Sequence, residues 1–273
     1  MLYHSSGRPR GGIKMRLIMA TILALVAFAS YYGSSEDNAF TGTTQRVAMS
    51  KGQEIALGLQ SAPRMAQQYG GLDANARDHA RLDAVGERLL AGTSLRRSDY
   101  QYDFHLLADP KTINAFALPG GQIFITRGLY DELKTEAQLA GVIGHEIGHV
   151  VARHGAQHLA KQQLTQGLAG AAGVAMGDQS GAQMAMMVGQ MVNMKYGRGD
   201  ELESDKIGVR VLGEAGYDPR AMIEVMKVLK RAAGGGRQPE FFSTHPNPEN
   251  RIGVIEQAIR DFYPHGIPEG LDG

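Results

Sequence analysis

Residues 141–155 read GVIGHEIGHVVARHG, three histidines and one glutamate in an otherwise apolar run. The flanking LAGV and VVA segments make a helix here apolar on its remaining sides, so the fold must bury it together with its polar groups. Burying imidazoles and a carboxylate without partners is expensive. His145 and His149 stand four apart, project from one helical face about one turn apart, and can grip a single ion. Glu146 lies one step round, where it can reach a water beside that ion without being a ligand. This is the HExxH arrangement, with two imidazoles for Zn2+ and one carboxylate as general base. The reaction class it implies is peptide hydrolysis. Gly144 and Gly148 remove bulk beside the site, as the close approach of a substrate or a neighbouring element would require.

Catalytic zinc takes a third protein ligand and keeps one position open. The chain has no cysteine, so that ligand must be His, Asp or Glu. His154 does not fit the longer HExxHxxGxxH spacing, because Ala152 and Gly155 stand where that pattern needs glycine and histidine. It is expected on a continuing helix, behind the ligands or at the surface. The segment YGRGDELESDKIG offers Asp200, Glu201, Glu203 and Asp205. On a helix Glu201 and Asp205 share a face, whereas Glu203 points about 200° away from Glu201. Glu201 is therefore the expected third ligand, with Asp205 holding a ligand imidazole by its other ring nitrogen. Asp200 and Glu203 are expected as solvated acids at a helix start.

With 43% hydrophobic residues among 273, the chain can bury a sizeable core. Its formal net charge of zero gives no electrostatic case for a nucleic-acid partner. Lys14 and Arg16 precede an apolar run over 17–29, so residues 1–33 read as a signal peptide or short membrane anchor. Those thirteen residues fall short of the roughly 20 that a spanning helix wants. Residues 34–43 are small and polar and read as a linker, leaving 44–273 as one catalytic domain.

Within that domain, apolar spacing of three and four predicts helices over 44–70 and 73–91. YQYDFHLLAD, INAFALP and GQIFITRG are strand-like, and the PGG turn makes a hairpin of the last two. Residues 129–163 are expected to be helical almost throughout, and helices follow near 200–214, 219–231 and 249–262. Residues 161–199, rich in Gly, Ala and Met, are expected either as a helical hairpin with a loosely packed core or as a mobile segment, adaptable enough to act as a lid or to contact unfolded chains. The order of helices, small sheet and helices predicts an α+β fold, mainly helical, with a small β-sheet beside the HExxH helix.

The motifs INAFALPGGQIFITRGL, GHEIGHVVARH and ELESD followed by KIG together resemble the gluzincin metallopeptidase family that includes HtpX and the CAAX prenyl endopeptidase. The likeness covers about residues 53–255. It is strongest to the periplasmic branch typified by BepA and LoiP, since no long transmembrane helix follows the HExxH. Family members usually read ExxAD, and Ser204 stands here in place of the alanine, a residue of similar volume.

The resemblance implies one zinc ion per chain and an exported, periplasm-facing location. It further implies degradation of misfolded or misassembled envelope proteins, in contact with envelope assembly machinery. It makes Asn114, Ala115, Phe116 and Ala117 candidates for pairing with an extended substrate backbone. It also implies that His245, in the HP turn, reaches the zinc as a latch or a transition-state stabiliser, with Arg251 as the neighbouring cation. The competing class is a chaperone-like or assembly factor that keeps zinc in a latent site. His4, His79, His105 and His265 are assigned to no site.

Overall fold

Ser50 marks where the larger, helix-rich part of the chain begins. Its hydroxyl accepts from the Gln53 N–H while the Gln53 side chain accepts from the Ser50 N–H, a capping box that starts helix α2, Lys51–Gln68. The helix expected from residue 44 is thus shorter, and Thr44 belongs to a strand. The computed structural model describes residues 11–176, 196–233, 239–246 and 250–273. These fall into two compact units, one of 11–48 with 157–176, the other of 49–156 with the described residues from 196 onward.

The first unit holds helix α1, Gly11–Gly33, and the antiparallel hairpin of β1, Ser35–Asn38, and β2, Thr43–Arg46. The expected linker is therefore a structured hairpin. Its small polar residues are turn chemistry: the Asn38 side-chain oxygen accepts from the N–H groups of Phe40 and Thr41, and Gly42 takes the left-handed conformation at φ 70°. α1 is also longer than the apolar run that announced it. Residues Gly12–Gly33 form one continuous helix with a mean hydropathy of 1.9, because the small and aromatic residues around that run continue it. The same unit contains the greater part of α6, His154–Met176. Of the segment expected to be mobile, 161–176 lies in this helix and 177–195 lies outside the described residues.

The second unit is built around α5, Glu136–Val151, whose residues from Leu139 onward are all buried. Thr135 caps it by accepting from the Gln138 N–H at 3.2 Å. A three-stranded sheet lies beside it in the order β3–β5–β4, with β3 (Asp103–Leu107) parallel and β4 (Ala115–Ala117) antiparallel to β5 (Gln122–Thr126). The β4–β5 turn needs its glycines. Gly120 and Gly121 have φ of 89° and 113°, and a side chain at Gly120 would run into the backbone of Ile55. Phe116 stacks on Phe124 at 4.9 Å and His105 on its other side at 4.5 Å, which ties the strands into the core formed with Met65 and Leu118.

Helix α3, Ala76–Ala91, and α4, Arg127–Glu132, flank the sheet, followed after α6 by α7 (Arg198–Glu214), α8 (Ala221–Ala233), the single turn α9 (Phe241–Thr244) and α10 (Arg251–Phe262). The expected helical stretch from 129 breaks twice, between α4 and α5 and again at Ala152 and Arg153. Arg153 has φ 55°, so the chain turns there and does not continue α5. The fold is α+β and mainly helical, with the small sheet beside the HExxH helix.

Candidate metal centre

Small residues decide how near α5 and α7 come. A Cβ added at Gly148 would lie 2.5 Å from the Ser204 hydroxyl and 2.9 Å from its carbonyl oxygen, and one at Gly144 would lie 3.6 Å from the Gly208 Cα. The element these glycines admit is thus α7, not substrate. Ser204, in the place where the related pattern has alanine, uses its hydroxyl to donate to the His145 carbonyl.

Close packing carries the carboxylates of α7 to the imidazoles of α5. Glu201 Oε1 lies 3.4 Å from His149 Nε2, and Glu201 Oε2 lies 3.5 Å from His145 Nε2. The two Nε2 atoms face each other at 3.1 Å. His245, just after α9, brings its Nδ1 to 3.0 Å from Glu201 Oε1 and 3.4 Å from His145 Nε2. One donor atom from each of His145, His149, Glu201 and His245 therefore lies within 4.8 Å of all the others, and all four residues are buried. Phe241 stacks on the His245 ring at 4.4 Å and Tyr196 on the His149 ring at 3.8 Å.

Asp205 stands where the sequence placed it. It accepts from His145 Nδ1 at 2.9 Å, and the Arg251 guanidinium clamps it from the other side, Nε to Oδ2 at 2.6 Å and Nη2 to Oδ1 at 2.8 Å. Arg251 Nη1 also lies 3.1 Å from Glu201 Oε2, close enough for charge attraction but without hydrogen-bond alignment. Burial works against ionising Asp205 and Glu201. The Arg251 charge and the His145 and Arg251 hydrogen bonds hold Asp205 below the usual carboxylate range, and His245, His145 and His149 do the same for Glu201. Burial keeps the His149 imidazole neutral, whereas on His145 the Asp205 and Glu201 hydrogen bonds outweigh burial and Arg251 and raise the pKa to about 9.

Glu146 is fully buried, and among the described residues neither of its oxygens has a hydrogen-bond partner. Its Oε1 lies 3.6 Å from His245 Nε2. Burial pushes its pKa above the ordinary value.

These residues pass a simple test for a metal. His145 and His149 use Nδ1 elsewhere, which leaves two Nε2 lone pairs converging with a carboxylate oxygen, while Glu201 Oε2 and His245 Nε2 lack hydrogen-bond partners among the described residues. A cation at the point of convergence would satisfy donors that are otherwise a buried expense, and imidazole with carboxylate suits zinc.

Asn114, Ala115 and Phe116 turn out to be core residues by their side chains. The Asn114 amide donates to Glu240 at 3.2 Å, and Phe116 lies in the aromatic stack. Thr126 N–H donates to the Asn114 carbonyl and Leu118 N–H to the Gln122 carbonyl, so by alternation the backbone groups of Ala115 and Ala117 point away from β5. Ala117 shares a small recess with His149, Tyr196 and Arg153. Sequence reasoning missed Tyr196 and Phe241, which no spacing rule singles out; of the two places it left open for His154, behind the ligands or at the surface, the structure shows the former, in contact with His149.

A buried helix that offers two imidazoles and a free carboxylate to a glutamate on its neighbour defines a zinc metallopeptidase domain of the gluzincin kind. Residues 76–259 match the model of peptidase family M48, and the chain belongs to that family. It is 29% identical to the β-barrel assembly-enhancing protease of Escherichia coli over 90% of this chain and 55% of that protein. It is 35% identical to the mitochondrial metalloendopeptidase OMA1 of Arabidopsis thaliana over 56% of this chain and 31% of that protein. With OMA1 of Schizosaccharomyces pombe the figures are 33% identity, 64% of this chain and 51% of that protein. The chain thus spans about a third to a half of these relatives.

Proposed function

We propose that this chain is a zinc-dependent endopeptidase that degrades misfolded or misassembled proteins of a cell envelope. The observation that carries the chemistry is the Glu146 carboxylate, fully buried beside the converging donors and without a hydrogen-bond partner among the described residues. A side chain kept in that state at such cost has a use other than stability.

In this reading His145, His149 and Glu201 hold the zinc. Zinc, when bound, supplies Lewis acidity toward the scissile carbonyl and toward the attacking water. Glu146 accepts the proton of that water and delivers it to the leaving amine, a role its raised pKa favours. Asp205, gripped by Arg251, keeps His145 in the tautomer that leaves Nε2 free. The outward backbone groups of Ala115 and Ala117 offer an extended substrate an edge to pair with. His245, buried among the donors, acts as a latch on the fourth position, and its replacement by alanine should raise proteolysis. Unchanged or lower activity of that variant would count against the latch.

The envelope part of the reading rests on the relatives and on α1. The Escherichia coli relative is named for β-barrel assembly, whereas the OMA1 relatives are named as mitochondrial. α1 is long and apolar enough to cross a membrane, with Ile13, Leu17, Leu25 and Val26 more than half exposed, so it serves as an export signal or a retained anchor.

Casein digestion with and without a chelator, repeated for Glu146→Gln, tests the activity. Cleavage that both treatments abolish supports the enzyme. No cleavage by the wild type or by His245→Ala supports a zinc-holding assembly factor instead.

A further inference from the structure

The geometry points to His154 as the positioning residue for His149, at the centre of a directed hydrogen-bond chain that ends on Glu203. This inference rests on zinc ligation by His149 as proposed above. Had α5 continued, His154 would point about 140° away from His149 round the helix. The left-handed turn at Arg153, φ 55°, brings it back. Arg153 is held in that turn by its own side chain, with Nε donating to Glu54 Oε1 at 2.8 Å and Nη2 to the Met49 carbonyl at 2.7 Å. Both members of this ion pair are buried.

The result is a contact of 2.9 Å between His149 Nδ1 and His154 Nδ1, with His154 fully buried. Which ring donates follows from the metal. An imidazole that ligates through Nε2 carries its proton on Nδ1, so His149 must donate. His154 Nδ1 must then be the bare acceptor, and its proton sits on Nε2, which lies 3.2 Å from Glu203 Oε2 and 4.0 Å from Asp200 Oδ1. The acids expected to be mere solvated helix starters thus terminate the chain, and Glu203 remains 37% exposed to solvent.

The two ligand histidines are consequently oriented by different devices. His145 leans directly on a carboxylate, and His149 leans on one through an intervening imidazole. Such partners fix the ring, set the tautomer and raise the basicity of the ligating nitrogen, and losing one typically costs about 10–100-fold in metal affinity. Tyr196, stacked on His149 with 19° between the rings, fixes the tilt of the plane.

The test is zinc affinity by chelator competition on the full chain. His154→Phe keeps the volume and removes the acceptor, and should weaken zinc binding about 10–100-fold. His154→Gln restores an acceptor oxygen and should recover most of the loss, which a purely structural role would not predict. A folded His154→Phe variant that binds zinc within about threefold of wild type, or equal losses in both variants, overturns the inference. The unmodified chain supplies a second measurement should His154→Phe fail to fold. Nitrogen-15 NMR of the zinc-loaded protein should find the His154 proton on Nε2, and a proton on Nδ1 would refute the chain. Failure of the wild type to bind zinc at all would instead sink the underlying ligation.

Discussion

Replacing Gly148 by alanine probes the contact on which the whole site depends. The new methyl group would stand 2.9 Å from the Ser204 carbonyl oxygen and 3.0 Å from its Cα, where ordinary contact begins at 3.4 Å. These are backbone atoms of α7, so no rotamer change relieves the clash, and the two helices must part by about half an ångström. Overpacking of this kind costs about 1–3 kcal/mol. For a domain of this size that lowers Tm by about 2–12 °C.

Glu201 rides on α7 less than one turn before Ser204 and would move with it. Metal sites tolerate bond-length errors of about 0.2 Å, so a shift of half an ångström should weaken zinc binding by about tenfold or more. The assay is thermal unfolding by circular dichroism with and without zinc, joined to chelator competition. Gly199→Ala is the control on the same helix, since nothing lies within 4 Å of its added Cβ, and better helix propensity there adds up to about 1 kcal/mol. Should Gly148→Ala melt and bind zinc as the wild type does, the claim that glycine sets the α5–α7 distance is wrong.

Glu146→Gln should lower the cleavage rate by about 10²–10⁴-fold or more while leaving one zinc per chain, checked by elemental analysis beside a peptidase assay. Arg153→Leu removes the Arg153 charge from beside the buried Glu54 carboxylate and should cost about 3–5 kcal/mol in denaturant unfolding, with Glu54→Leu added on top recovering part of it. The Arg127 hydrogen bonds hold the Asp73 carboxyl below its ordinary pKa. A depressed folded-state pKa contributes stability that is present above about pH 4 and is lost as the pH falls through the folded value. The Tm difference between wild type and Arg127→Gln, measured in chelator, should therefore be widest near pH 7 and shrink as the pH falls below the ordinary aspartate range. A gap independent of pH would rule out the ionised pair as its source.

Much of the site was legible because its first half is local. His145, Glu146 and His149 are placed by helical geometry alone, and the same geometry puts Glu201 and Asp205 on one face of α7. The three strands of the sheet were equally legible from their alternation and from the PGG turn. Element ends were less so. The expected linker became a hairpin because the Asn38 and Gly42 turn chemistry resembles that of a flexible segment, and α2 began late because Ser50 can cap it.

What the sequence by itself determined is the donor chemistry and the local spacing: no thiolate, two imidazoles one turn apart, a base between them, and a neighbouring helix with two carboxylates in register. Periodicity carries that information, since residues within one helix have their relative positions set by the backbone. Only the tertiary structure decided how these pieces meet. It set α5 against α7 at glycine distance, brought His245 and Arg251 in from more than forty residues beyond Glu201, and turned His154 back onto His149 at a single left-handed residue. Those outcomes depend on packing between elements distant in the chain and on one backbone dihedral held by a buried ion pair, and neither leaves a period in the sequence.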